Sequence, residues 1–227
     1  MSVTPGKFGE VLKSAILKQR FNQPISRTTP IIFTERITDM ISLVLIAAYG
    51  VITYEYGKYI LLLTVFLLVL IILILTNKNI MNTLTEKLSR VQFFNKRLQG
   101  IININDSFWI LLKPSRTFLM TMLSLFAWAA ECIAFYLISI QINSQMTFEL
   151  AAFIYSMATI IGSVMFLPGG LGGTEGTMVF MLSEFGFLKH EAVAVTTTIR
   201  IVTLWFAVLL GFLGFHFYQR KYGKIVL

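Results

Sequence analysis

Two arginines and several acids stand inside or beside apolar runs, where charge is costly. Arg36, in TERITDMISLVL, and Arg200, in TTIRIVTLWFAVLL, each lie near the start of a long apolar stretch. An arginine at the centre of a membrane helix costs about 2.5–3.5 kcal/mol on insertion scales, so it faces a bundle interior and pairs with an acid or holds an anion. Its planar fork of donors matches the oxygens of a phosphate. Glu35, Arg36 and Asp39 crowd one helix, so Arg36 either pairs within that cluster, locking helices together, or holds a phosphate headgroup whose acyl chains stay in lipid. Glu131 stands in the middle of the apolar WAAECIAF. An acid in that position is a functional candidate by default, with Arg200 or Arg36 as a partner.

The second group of candidates surrounds a break in the backbone. Residues 166–176, FLPGGLGGTEG, hold five glycines and one proline inside an apolar region. Pro168, Gly169, Gly170, Gly172 and Gly173 interrupt a helix, and the N–H groups that open the next one attract anions. Glu175 falls in that first turn. It either caps the helix against its dipole or pairs with Arg200 or a cationic headgroup. Candidate headgroup-binding residues are therefore Arg36, Arg200, Glu131, Glu175, Gly169, Gly170, Gly172 and Gly173. Glu10, Glu35, Asp39, Pro5 and Pro168 support them. No Ser/His/Asp order, metal-spaced cluster, P-loop or dinucleotide fingerprint is present. The sequence reads as a non-enzyme without metal or cofactor. Cys132 is the single cysteine, and His190 and His216 lie at segment ends; none is assigned a role.

The elements that must position these residues are membrane helices. Of 227 residues, 56% are hydrophobic and 13% charged, and the mean hydropathy is +0.75. A soluble domain has about 25% charged residues, and several apolar runs here approach the roughly 20 residues that cross a bilayer. The fold class is all-α: a polytopic integral membrane protein with about four spanning helices and a re-entrant hairpin. The N-terminus lacks the apolar core of a signal peptide. Spans are expected at 30–54, 59–76, 117–140 and 190–218. Residues 77–116 form a basic loop, whose VQFFNKRLQGIINI is amphipathic and lies along the membrane surface; residues 219–227 form a basic tail.

The net charge of +8 then reflects cytoplasmic Lys and Arg rather than nucleic-acid binding. The N-terminal segment, the 77–116 loop and the C-terminus belong in the cytoplasm and the protein in the plasma membrane. This parity requires an even number of crossings between 148 and 187. A re-entrant hairpin over 148–187, entering from outside and breaking at PGGLGG, satisfies it. Non-helical backbone at that depth must be covered by protein or line a water-filled cavity, and a cavity is expected.

The break has a second copy. TPGKFGE (Thr4–Glu10) parallels LPGGLGGTE (Leu167–Glu175), Glu10 precedes Arg36 by 26 residues and Glu175 precedes Arg200 by 25. The two copies run in opposite senses across the membrane, an inverted repeat of the kind found in transporters. Residues 1–76 form the first half and 117–218 the second, within one transmembrane domain over 1–227. The second copy has an apolar arm before its break and the first has none, so the chain is expected to be either truncated at its N-terminus or read from a misassigned start codon.

TPGKFGE, TERITD, FLPGGLGGTEG and TTIR, in this order and over nearly the whole chain, resemble the flippase-like transmembrane region of the lysylphosphatidylglycerol synthase family. The resemblance implies a protein that moves an anionic phospholipid, or a polyisoprenol-phosphate-linked lipid, across the membrane. Nothing resembles the family's soluble synthase domain, so synthase activity is not implied. The alternative is a non-catalytic anchor or scaffold for a separate glycosyltransferase or aminoacyltransferase docked on the basic loop. An intramembrane enzyme acting on a lipid-linked substrate is a third possibility, without a visible catalytic set.

Overall fold

The computed structural model describes residues 17–18, 25–54, 57–77, 83, 108, 110–165 and 168–222. Every element among them is helical. In chain order these are α1 (Ile25–Tyr54), α2 (Lys58–Thr76), α3 (Pro114–Ile142), α4 (Phe148–Val164), a single 3-10 turn (Pro168–Gly170), α5 (Gly173–Glu184), α6 (Lys189–Arg200), a π-helical turn (Ile201–Trp205) and α7 (Phe206–Tyr222). Among the described residues, four stretches are long and apolar enough to cross a membrane: Pro30–Tyr54, Lys58–Thr76, Pro114–Ile142 and Lys189–Lys221. The last runs unbroken through α6, the π turn and α7.

Most boundaries differ from the sequence expectation by a few residues, for local reasons. The third span starts at Pro114 rather than 117, with proline at the first helical position, where its missing N–H breaks no bond. The hairpin arm stops at Val164 rather than 167. Met165 bonds back to Ile161, and the positive φ angles of Gly169, Gly170 and Gly172 then turn the chain in a way that L side chains resist. The amphipathic surface segment and the first copy of the break, with Pro5 and Glu10, lie outside the described residues.

The core is built around α4. Ala151, Phe153, Ile154, Met157, Ala158 and Ile160 are all buried, and α4 packs against α1, α3 and α5. Its neighbours make room for it. A Cβ on Gly50 of α1 would collide with Phe153, and one on Gly162 of α4 would collide with the Thr174 hydroxyl on α5. By contrast α2 is apolar all round and largely exposed, as at Phe66 and Leu73. That is the pattern of a helix bathed in lipid.

α4 and α5 form a hairpin whose two feet stand at one end of the bundle. Tyr54, the last residue of α1, stacks on Phe153 near the start of α4, with ring centroids 5.6 Å apart. It also meets Phe185, just past the end of α5, edge to face at 5.4 Å. Its hydroxyl approaches that of Thr147 at 3.5 Å. At 17 and 12 residues, the two arms are about 25 and 18 Å long. Neither reaches across the roughly 30 Å hydrocarbon core of a bilayer.

Candidate functional site

The Gly-rich break is held by one arginine. Arg200 ends α6, and its Nε donates to Glu175 Oε1 at 2.5 Å while its Nη2 donates to the Gly169 carbonyl at 2.6 Å. The other carboxylate oxygen of Glu175, Oε2, accepts from the Gly172 backbone N–H at 2.7 Å. Glu175 therefore fills both roles open to it in the sequence: it caps α5 and it pairs with Arg200. Capping satisfies one of the orphan donors at the helix start, and its negative charge complements the positive end of the dipole. The Arg200 side chain is only 12% exposed and that of Glu175 27%, so the pair is well shielded from solvent.

The sequence expectation of an open anion site at this helix start is modified by these contacts. The Gly172 N–H and two donors of Arg200 already have protein acceptors. Arg200 keeps further N–H donors, since a guanidinium carries five. On the α4 side the tip is filled by protein rather than by a cavity: Gly170 and Gly173 lie against Gly162, Thr174 and Met165.

Arg200 is the twelfth residue of α6, about 16 Å along the helix from the hairpin's feet. Glu131 lies at a similar depth, about 16 Å back from the end of α3. Its carboxylate Oε2 accepts a short hydrogen bond from the Tyr155 hydroxyl on α4. Thr203, in the π turn just after Arg200, donates its hydroxyl to the Ile199 carbonyl at 2.8 Å. The Tyr155 bond is one contact of Glu131, alongside the Arg200 or Arg36 pairing expected from the sequence.

Arg36 belongs to a second cluster. Its Nη1 pairs with Asp39 Oδ2 at 3.0 Å and its Nη2 with Glu35 at 3.6 Å. Asp39 Oδ1 accepts from Ser124 of α3 at 2.6 Å. One turn on, Ser42 donates to the Thr121 carbonyl at 3.1 Å. This seam ties α1 to α3. It sits about 27 Å from the Tyr54 end for Arg36, some 10 Å beyond the level of Arg200. Arg36 and Arg200, grouped around one break by the sequence, thus occupy two separate layers. Cross-helix hydrogen bonds of this kind hold membrane bundles together where lipid offers no hydrophobic drive.

Tyr155, Thr203, Ser124, Gly162 and Thr174 were not singled out in the sequence. Tyr155 carried a signal, as the one aromatic hydroxyl amid the largely apolar FELAAFIYSMATII. The π turn carried none, because a five-residue turn arises from packing and leaves no period in the sequence.

The order of motifs now has a geometric counterpart in the Arg200–Glu175 clamp on a broken helix. A family model, the lysylphosphatidylglycerol synthase TM region, matches residues 1–211. The chain belongs to this family. Members similar to it include a UPF0104 membrane protein of Methanocaldococcus jannaschii, 26% identical over 229 residues, covering 98% of this chain and 95% of the relative. A UPF0104 membrane protein of Pyrococcus horikoshii is 32% identical over 118 residues, 51% of this chain and 35% of the relative. One from Methanothermobacter thermautotrophicus is 30% identical over 89 residues, 39% of this chain and 27% of the relative. No solved structure matches the chain. With four apolar spans and this family membership, it is an integral membrane protein.

Proposed function

We propose that this synthase-family membrane region handles lipid, moving an anionic phospholipid or a polyisoprenol-phosphate-linked lipid between leaflets. The observation that carries the reading is Arg200, a charged fork held about 16 Å inside the bundle against the tip of a broken helix. Broken helices near the midplane form substrate sites in transporters. In this reading the hairpin is re-entrant and the two halves of the chain form an inverted repeat. The donors of Arg200 not engaged by Glu175 and Gly169 attract the phosphate, and the apolar faces of the bundle leave the acyl chains in lipid. The chain makes and breaks no covalent bond. Its basic 77–116 loop and tail face the cytoplasm of a plasma-membrane protein.

A second reading is a non-catalytic anchor for a separate glycosyltransferase or aminoacyltransferase. It is favoured by the same clamp, because an arginine already paired with Glu175 at 2.5 Å is also what a closed structural bundle contains.

The experiment is reconstitution into liposomes holding a trace of fluorescent phosphatidylglycerol or dolichyl phosphate. Leaflet transfer is followed by quenching from outside, with Arg200→Ala and Ser183→Ala variants alongside. Transfer lost in Arg200→Ala but kept in Ser183→Ala, with both variants folded by size exclusion, supports the lipid-moving reading. The absence of transfer of either lipid by the folded wild-type chain selects the anchor.

A further inference from the structure

The last span leaves the bundle part-way along its length. α6 packs against α3 and α5, but its continuation, α7, packs closely on the π turn alone among the described elements. No residue of the π turn is buried, and none from 206 to 221 is. Helices kink at π turns, because the hydrogen-bond ladder is interrupted there, so Ile201–Trp205 is where α7 parts from α3. These two helices are the walls of a cleft. It closes at the π turn, about 18–24 Å from the hairpin's feet, and opens at the opposite end of the bundle.

The walls are apolar and the mouth is basic. Phe118, Leu119 and Leu123 on α3 are exposed, as are Leu209, Phe212 and Phe217 on α7. Lys113 and Arg116 stand exposed at the start of α3, and Arg220 and Lys221 at the end of α7. Counted from the feet, Arg116 is about 39 Å along α3 and Arg220 about 46 Å along the last span. Both lie past the roughly 30 Å of a bilayer's hydrocarbon core, at headgroup level. Among the described residues the acids near this end are Glu35 and Asp39, and both pair with Arg36. The foot end instead carries Glu149, Glu184 and Glu191. The two ends of the bundle therefore differ in charge, and the cleft opens at the positive one.

We propose that the cleft between α3 and α7 seats an anionic phospholipid of the leaflet at that end, with its phosphate between Arg116 and Arg220. The dimensions suit this occupant. From Trp205 to Arg220 the cleft is about 22 Å deep, which takes the roughly 15 Å of one leaflet's acyl layer and the headgroup above it. The charge suits it as well. A guanidinium fork matches phosphate oxygens, and Arg116 spends one donor on the Ile110 carbonyl at 3.4 Å out of five. Clustered Lys and Arg just beyond a membrane helix attract anionic lipids. The floor of the seat is the π turn, which begins immediately after Arg200.

The proposal concerns where a lipid sits and holds whether or not the protein carries it across; leaflet transfer is a separate readout, so either can fail alone. The test uses the full chain in phosphatidylcholine nanodiscs, in a Trp109→Phe/Trp128→Phe background. Trp205, half-exposed on the π turn, is then quenched by phosphatidylglycerol or phosphatidylcholine brominated near the ends of the acyl chains. Phosphatidylglycerol should quench at a lower mole fraction, and Arg116→Gln and Arg220→Gln should each weaken that preference about fivefold. Lys189→Gln, at the foot end, should leave it unchanged. Both arginines are exposed, and size exclusion confirms that the variants fold. Equal quenching by the two lipids, or a preference that survives Arg116→Gln/Arg220→Gln, overturns the proposal. Quenching by neither lipid also overturns it, because protein would then fill the cleft, either a second copy or another segment of this chain.

Discussion

Arg200 and Glu175 are 25 residues apart in the chain and joined by a 2.5 Å ion pair. The same arginine reaches the Gly169 carbonyl and the same glutamate reaches the Gly172 N–H. Two side chains thereby fix the start of α5, the end of α6 and the turn before both. The glycine run needs this bracing, because it gives up side-chain packing for conformational freedom.

Truncating either partner should destabilise the protein markedly. Removing one member of a fully buried pair costs about 3–5 kcal/mol, and partial exposure here lowers the expectation to about 2 kcal/mol for Arg200→Ala or Glu175→Ala. The double variant should cost less than the sum, with a coupling of about 1–2 kcal/mol. Arg200→Lys should recover little, since an ammonium does not reproduce a fork that serves two acceptors. Thermal unfolding in one detergent measures all four proteins; additive single costs would dissolve the clamp.

Gly162→Ala tests the hairpin's closeness. The added Cβ meets the Thr174 hydroxyl and stands 3.0 Å from the Thr174 backbone nitrogen. Overpacking of this kind costs about 1–3 kcal/mol. Thr174→Ala in the same chain removes the hydroxyl but not the backbone contact, so partial recovery of thermal stability is expected. Wild-type stability in the single variant would mean that the two arms lie further apart.

The seam between α1 and α3 should matter less. Ser124→Ala removes the hydroxyl that donates to Asp39, and polar contacts between membrane helices average about 0.6 kcal/mol in double-mutant cycles. A loss of about 0.5–1.5 kcal/mol is expected, because this acceptor is charged. A fall as large as that from Arg200→Ala would reverse the ranking of the two layers.

Sidedness can be read with single cysteines in a Cys132→Ala background. Ser144→Cys and Lys189→Cys flank the hairpin and should react with an impermeant thiol reagent from the same side. Lys221→Cys should react from the other. Labelling of Ser144→Cys and Lys189→Cys from opposite sides would make the hairpin cross the membrane and would falsify its re-entrant placement.

Much of this protein is determined by its sequence alone. Apolar runs such as YILLLTVFLLVLIILILT have a length and uniformity that only a lipid-facing helix accommodates, and the structure places α2 there. The PGGLGG run requires a break, because no helix continues through that many glycines and a proline, and Glu175 three residues after Gly172 was legible as a cap. The pairing of Glu175 with Arg200 was foreseen as one of two roles, but its coexistence with capping required coordinates, since each carboxylate oxygen serves one role. Tertiary structure alone decided the rest. The separation of Arg36 from Arg200 depends on how α1 and α6 are set against each other, which no local pattern encodes. Tyr155 as the donor to Glu131 depends on two helices meeting at one level. The π turn after Arg200 depends on packing around five residues whose types would suit an ordinary helix equally well. Local propensity and hydropathy act over a few residues and a single helix face, whereas these contacts arise between segments tens of residues apart.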